Sequence, residues 1–176
     1  GSNTTAAAAV LAARRHVSLK DAETLVLAGT GPVGQRASQL LALEGARVRV
    51  ASRSLDRAKQ TCAAIAEAAP GARLTPVASS SVSHLEEACR DVGVVISAGA
   101  AGVELLSAER LKSMSALKVA IDLNAVPPAG IAGIGAMDKA KERDGVICYG
   151  AIGVGGTKMN IHKAALRKLY TANDLV

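Results

Sequence analysis

Two hydrophobic rhythms alternate along the chain. Residues 24–28 (TLVLA) form a short, nearly continuous apolar run, the pattern of a strand buried on both faces. After a cluster of glycines, Val33, Ala37, Leu40, Leu41 and Glu44 fall at i, i+4, i+7, i+8 and i+11, and all but the last are apolar. That spacing predicts a helix with one buried stripe, ended by Gly45. Residues 48–51 (VRVA) read as the next strand, and Leu55, Ala58, Cys62, Ile65 and Ala69 mark a second helical stripe, capped by Ser54 and stopped by Pro70-Gly71. Residues 74–77 make a weak third strand, where Pro76 predicts an edge or a strand end. Ser83 and Glu86 have the spacing of a capping box for a helix through Cys89. Residues 92–97 (VGVVIS) predict a buried fourth strand, 107–114 a short helix, 118–123 (KVAIDL) and 146–149 (VICY) two more strands, and 157–170 a closing helix. At the front, residues 4–15 are Ala-rich and predict a helix capped by Ser2 or Asn3. Such alternation predicts one doubly wound α/β domain with a mostly parallel sheet, and no repeat or low-complexity linker interrupts it.

Composition agrees and narrows the function. A length of 176 residues with 49% hydrophobic and 20% charged side chains describes a globular domain with ample core. There is no Trp, no Phe and only two Tyr, so the core is aliphatic, and a planar ligand would find almost no aromatic surface. The net charge is +6, but the basic residues are scattered and lack an aromatic stacking platform, so nucleic acid is not expected as a partner. Cys62, Cys89 and Cys148 are odd in number and far apart, and His16, His84 and His162 do not cluster. No metal site or disulfide framework is predicted; buried thiols in a reducing cytoplasm are. No apolar stretch is long enough to cross a membrane and no signal peptide opens the chain, so a cytoplasmic location without a membrane partner is expected. The first residues, Gly1 and Ser2, leave open that the chain is a piece of a longer protein.

The candidate chemistry begins at residues 28–34, AGTGPVG. Gly29, Gly31 and Gly34 have the spacing G-x-G-x-x-G, with Thr30, Pro32 and Val33 between them. They stand directly after a buried strand and open an amphipathic helix, the context that a dinucleotide-binding loop requires. Gly29 permits the tight turn, Gly31 lets a pyrophosphate approach the backbone, and Gly34 lets the helix pack on the strand. The free N–H groups and the helix dipole then face the anion. Pro32 in the first turn sacrifices no hydrogen bond. An acid ending the second strand would meet a free ribose 2′-hydroxyl. Here Ser52, Arg53 and Ser54 stand instead, with Arg57 and Lys59 a turn further on. Hydroxyls and a guanidinium suit a 2′-phosphate, so NADP is predicted, with Arg53 as its main contact; Arg57 and Lys59 read equally well as a solvated helix face.

Several stretches go beyond a generic dinucleotide fold. GSNTTAAA (1–8), LAGTGPVG (27–34), SAGAAGVELL (97–106), DLNAVPPAGIAGI (122–134) and GAIGVGGTKMNIHKA (150–164) resemble the central segment of the NADP-dependent methylenetetrahydromethanopterin/methylenetetrahydrofolate dehydrogenases of methylotrophic bacteria. The resemblance implies a Rossmann domain, residues 21–156, between a leading helix within 1–20 and an exit helix at 157–176, beside a catalytic domain that this chain lacks. It implies hydride transfer from the methylene bridge of a tetrahydropterin C1 carrier to NADP, giving the methenyl form, in a protein expected to be a homo-oligomer. Because members of this group differ in NAD or NADP preference, that choice rests on Arg53. Strand-end topology places Ser97, Ala98, Gly99 and Ala100 on the nicotinamide side, with Asp122 and Asn124 at the end of the fifth strand. The resemblance makes Lys158 the substrate-facing polar group; a solvated lysine at the start of a helix competes with that reading, as a structural cap does for Asp122, and His162 reads as structural. Two other functions remain open: a shikimate-dehydrogenase-like NADP enzyme, and an NADP(H)-binding sensor without catalysis of its own.

Overall fold

The structure is a computed structural model that describes residues 1–171, with side chains described through residue 168. Helix α1 (Ser2–Arg14) leads into strand β1 (Glu23–Leu27), followed by α2 (Pro32–Leu43), β2 (Arg47–Ser52), α3 (Leu55–Ala68), β3 (Arg73–Ala78), α4 (Val82–Cys89) and β4 (Val94–Ser97). Then come α5 (Ala108–Ser113), β5 (Val119–Asp122), β6 (Lys141–Arg143), β7 (Val146–Tyr149) and α6 (Gly155–Thr171). The end of the predicted exit helix, 172–176, lies outside the described residues.

The strands form one sheet in the order β3-β2-β1-β4-β5-β7-β6. All neighbours are parallel except β6 and β7. The fold is therefore the doubly wound Rossmann-type domain that the alternating pattern predicts. Its two faces are covered by separate apolar layers. One holds the Ala-rich face of α1 (Ala6, Ala9, Ala13) with Ala37, Leu41, Val48, Val50 and Ile121; the other holds Leu25, Leu27, Cys89, Val95, Leu106 and Ile131. Alternate residues of β1 point to opposite layers, Val26 to the first and Leu25 and Leu27 to the second, as the two-residue strand period dictates. The three cysteines are free and buried, and burial pushes each thiol upward from its ordinary pKa. Among the described residues no helix is long and apolar enough to cross a membrane.

Local chemistry corrects several sequence expectations. Helix α1 begins earlier than predicted and is capped at Gly1, whose carbonyl accepts from the Thr4 and Thr5 hydroxyls, rather than by Ser2 or Asn3. Helix α4 is capped by Ser81, which accepts from the His84 amide at 3.2 Å, so Ser83 and Glu86 do not form a capping box. Strand β6 was not predicted: Lys141, Glu142 and Arg143 carry no apolar alternation, and they form an antiparallel edge on β7. The weak third strand is an edge strand, as Pro76 suggested.

Candidate functional site

The chain passes from β1 outward to β2 and β3, then crosses back to β4 on the other side of β1. The carboxyl ends of β1 and β4 thus form the switch point where open α/β sheets take their ligands. The glycine loop lies there. Its turn is knitted to β2 by the Gly29 amide, which donates to Ala51 at 2.8 Å. A Cβ on Gly29 would lie 2.7 Å from Val50 Cγ1, and one on Gly34 would lie 2.6 Å from Gly29 Cα. Both positions are closed to larger side chains by packing. Gly31 differs. Its φ is −78°, which any residue adopts, and a Cβ there would meet only the Ala28 carbonyl at 3.8 Å. Neither conformation nor packing demands a glycine at 31, and the space left beside it is what an approaching pyrophosphate needs. Helix α2 starts immediately after with Pro32 in its first turn, and no side chain caps it. Its first amides, including those of Val33 and Gly34, have no acceptor within the helix. The Thr30 carbonyl is held by the Gln35 side chain at 2.7 Å. The loop therefore fits the phosphates of a dinucleotide.

At the end of β2 the serines are engaged by the fold. Ser52 is 8% exposed, and its hydroxyl accepts from the Ser54 amide at 3.2 Å. Ser54 caps α3 by accepting from the Arg57 amide at 3.3 Å. Arg53 and Arg57 are exposed, and their guanidinium groups make no hydrogen bond or ion pair among the described residues. Ser79, which the sequence did not single out, is drawn to this corner by its amide, donating to the Ser52 carbonyl at 2.9 Å. Only the pairing of β2 with β3 brings it there.

Across the switch point, Ser97 ends β4 in register with Asp122 at the end of β5. The Ala98 amide donates to Leu27 at 3.1 Å, joining the loop through Ala100 to β1. Gly99 lies beneath Leu105, whose Cδ1 would be 2.6 Å from a Cβ on that glycine. Asp122 is 1% exposed; one carboxylate oxygen accepts from the Asn124 amide and the other from the Ile131 amide, each at 3.1 Å. Asn124 is 6% exposed. Its side chain accepts from the Val126 amide and donates to the Pro128 carbonyl, both at 3.0 Å. Asp122 and Asn124 thus fasten the loop after β5, which contains a cis Pro127-Pro128 bond. The geometry gives these two residues the work of positioning that loop.

Lys158 lies in the first turns of α6, exposed, and its ammonium has no partner among the described residues. The loop before it is fixed by backbone. The Gly150 amide donates to Asp138 and the Ile152 amide to Ala136, while Gly150 and Gly153 press on the chain at 135–138 with no room for a Cβ. Asp138 anchors this support through the Gly135 amide and an ion pair with Arg143. Burial pushes its carboxyl upward, but the hydrogen bonds from Arg143 and Gly135 outweigh this and hold it below its ordinary value. The sequence pattern did not expose this anchor, because Asp138 and Arg143 share no helical or strand period.

A groove of about 700 Å³ runs along β3 elsewhere on the surface, and none of its lining residues belongs to the glycine loop. Its arginines are already paired, Arg47 and Arg49 with Glu23, Arg73 with Asp21 and Arg90 with Glu87.

Residues 10–141 match the family described as shikimate / quinate 5-dehydrogenase. The chain is 39% identical over 176 residues to the "Bifunctional protein MdtA" of Methylorubrum extorquens, and 35% identical over 182 aligned positions to the "NAD(P)-dependent methylenetetrahydromethanopterin dehydrogenase" of the same organism. Each alignment covers 99% of this chain and 61% of the relative, so the chain spans about three fifths of the curated proteins it matches. These names bear out the resemblance read from the five sequence stretches. Among solved structures, a transhydrogenase from Sinorhizobium meliloti superposes with a TM-score of 0.70 at 23% identity, over 99% of this chain and 55% of that one, which shows the shared fold.

Proposed function

Because the chain belongs to the shikimate / quinate 5-dehydrogenase family, we propose that it is the cofactor-binding part of a nicotinamide-dependent oxidoreductase. The specific reading is oxidation of the methylene group of a tetrahydropterin C1 carrier, methylenetetrahydromethanopterin or methylenetetrahydrofolate, to the methenyl form with NADP. The observation that carries the substrate class is the 39% and 35% identity, across nearly the whole chain, to two proteins of one methylotroph, one of which is named for that carrier.

In this reading the amides at the start of α2 hold the pyrophosphate, and the open face of Gly31 lets it come close. Arg53, unpaired and exposed, meets the 2′-phosphate, with Ser79 at the same corner and the turn made rigid by Ser52 and Ser54. Small side chains from Ala98 to Ala100 leave room for the nicotinamide ring. When bound, NADP supplies the hydride acceptor; nitrogen lone pairs beside the methylene carbon stabilise the cation left behind, so the chain needs to offer alignment and no general base. Lys158 contributes an ammonium to orient the carrier, whose second wall comes from outside this chain.

A second reading, a shikimate-type substrate, is favoured by the family match itself. The deciding experiment follows NADPH absorbance in the full-length protein with each methylene carrier and, separately, with shikimate and quinate. Turnover of a methylene carrier is expected. Lys158→Ala should then lower carrier turnover or affinity, by up to about 10²-fold if the reacting pair is misplaced, and leave NADP affinity unchanged. Activity with shikimate or quinate alone would replace the proposal, and full carrier activity of the variant would reduce Lys158 to a surface lysine.

A further inference from the structure

Four hydrogen bonds hold a stretch of chain whose tip packs against very little. The buried side chains of Asp122 and Asn124 tie down the backbone at Asn124, Val126, Pro128 and Ile131. Between those ties Ala125, Val126, Pro127 and Pro128 are exposed, Val126 to 51%. The loop after β4 is fastened to the same place. The Leu105 and Leu106 amides donate to the Gly130 carbonyl, Leu106 bridges Ile131, and Val103 is left 45% exposed. The two loops meet where a Cβ on Gly102 would lie 3.6 Å from the Pro127 carbonyl. Together they make a fixed aliphatic ridge above the carboxyl ends of β4 and β5. Across residues 119–137 the only ionisable side chain is Asp122, and it is buried.

Fastening from below organises an apolar tip in advance of contact, which reduces what binding must spend on ordering it. We infer that this ridge, with Val126 at its crest, is the wall on which the flat face of the carrier's ring system lies, and that it sets carrier affinity. The inference rests on the function proposed above. Three observations select an uncharged ring as the occupant. The ridge crowns the strand ends on the nicotinamide side of the switch point. Its one exposed charge is the carboxylate of Glu104 beside Val103, in a chain of net charge +6, so it has no attraction for a polyanion. Its exposed tip is a handful of residues, far short of the roughly 800 Å² per partner of a standard protein interface. With no Phe or Trp in the sequence, aliphatic contact is what the chain has to offer a ring.

The test uses the full-length protein with four variants: Val126→Asp, Val126→Leu, Asn124→Ala and, as a control remote from the site, Leu43→Ser at the end of α2. Carrier KM and kcat are measured with NADP, NADPH binding by fluorescence, and binding of tetrahydrofolate or tetrahydromethanopterin to cofactor-free protein by calorimetry. Val126→Asp is expected to raise carrier KM and Kd about tenfold, the effect of losing one buried aliphatic contact, with NADPH affinity unchanged. Leu43→Ser should behave like wild type, and Val126→Leu, which keeps an aliphatic contact, should lose less carrier affinity than Val126→Asp. Asn124→Ala, which unties the loop and leaves Val126 in place, should raise carrier KM without altering NADPH affinity. Unchanged carrier affinity in Val126→Asp overturns the inference, as does an equal loss for NADPH. So does a drop in melting temperature alone, which would make the ridge a cover for another part of the protein. If wild type turns over neither carrier, the proposed reaction fails, and the calorimetric titration decides the ridge: binding weakened by Val126→Asp upholds it, and no binding removes it.

Discussion

The proposed preference for NADP rests on Arg53 and on what its neighbours do. Ser52 and Ser54, which looked in the sequence like phosphate-binding hydroxyls, have hydroxyls already committed to the turn and to the cap of α3. The guanidinium between them is uncommitted and exposed. A free cation beside the dinucleotide loop, where a 2′-hydroxyl-binding enzyme places an acid, favours an extra phosphate. Arg53→Ala should weaken NADP(H) binding by about 1.5–3 kcal/mol, the range for a charged hydrogen bond, and barely change NAD(H). Paired fluorescence titrations of both reduced cofactors check this, and equal losses would detach Arg53 from the 2′-phosphate. Arg53 could be offered as a candidate from sequence alone because charge type at a strand end is a local property. Ser79 could not, since it reaches the corner only through the pairing of β2 with β3.

At the scale of elements, the junction of β1 with α2 uses its glycines in opposite ways. Gly34 is glycine for the fold, since a Cβ would sit 2.6 Å from Gly29 Cα and 2.7 Å from the Ala28 carbonyl; backbone on both sides cannot yield. At Gly31 neither the backbone conformation nor the packing requires glycine. Gly34→Ala should therefore destabilise the protein by about 1–3 kcal/mol, as overpacking does. Gly31→Val should leave the unfolding midpoint and far-UV circular dichroism near wild type yet abolish binding of both NAD(H) and NADP(H). Retained binding in Gly31→Val would leave the loop as a turn only. The same contrast explains what the sequence could show. Long buried runs such as VVIS and amphipathic stripes such as that of α3 announce themselves by period, and so six strands and the helices were legible. The three-residue β6 has no apolar period and forms only because β7 offers an edge. The α4 cap slipped by two residues because several serines stand side by side at 79–81 and 83, and Ser81 is the one that meets the free His84 amide. Asp122 and Asn124 were visible as polar residues at a strand end, where sequence cannot tell a group facing a substrate from one facing its own loop.

The described residues form two apolar layers, one on each face of the sheet, and the glycine loop lies at the carboxyl ends of β1 and β4 between them. Each face of the sheet carries an apolar layer, α1 contributing Ala6, Ala9 and Ala13 to one and Leu106 and Ile131 belonging to the other. The leading helix is thus part of the core of this unit, whatever else it also meets. A chain with two apolar layers has what it needs to fold by itself, and the glycine loop and Arg53 lie wholly within it. Cofactor binding should therefore survive in the isolated 176 residues, while the carrier would find a single wall. A ligand that binds only the folded state raises stability by RT ln(1 + [L]/Kd), about 2.7 kcal/mol at a hundredfold excess over Kd. For a chain of this size each kcal/mol moves the midpoint by roughly 2–4 °C, so NADP should raise it by about 5–11 °C. Thermal unfolding of the isolated chain should show that shift with NADP, a smaller one with NAD at equal concentration, and none with tetrahydrofolate or tetrahydromethanopterin. No shift with NADP would mean that the phosphate cradle is incomplete without the remainder of the protein. A shift with the carrier alone would place both walls of its site within this chain.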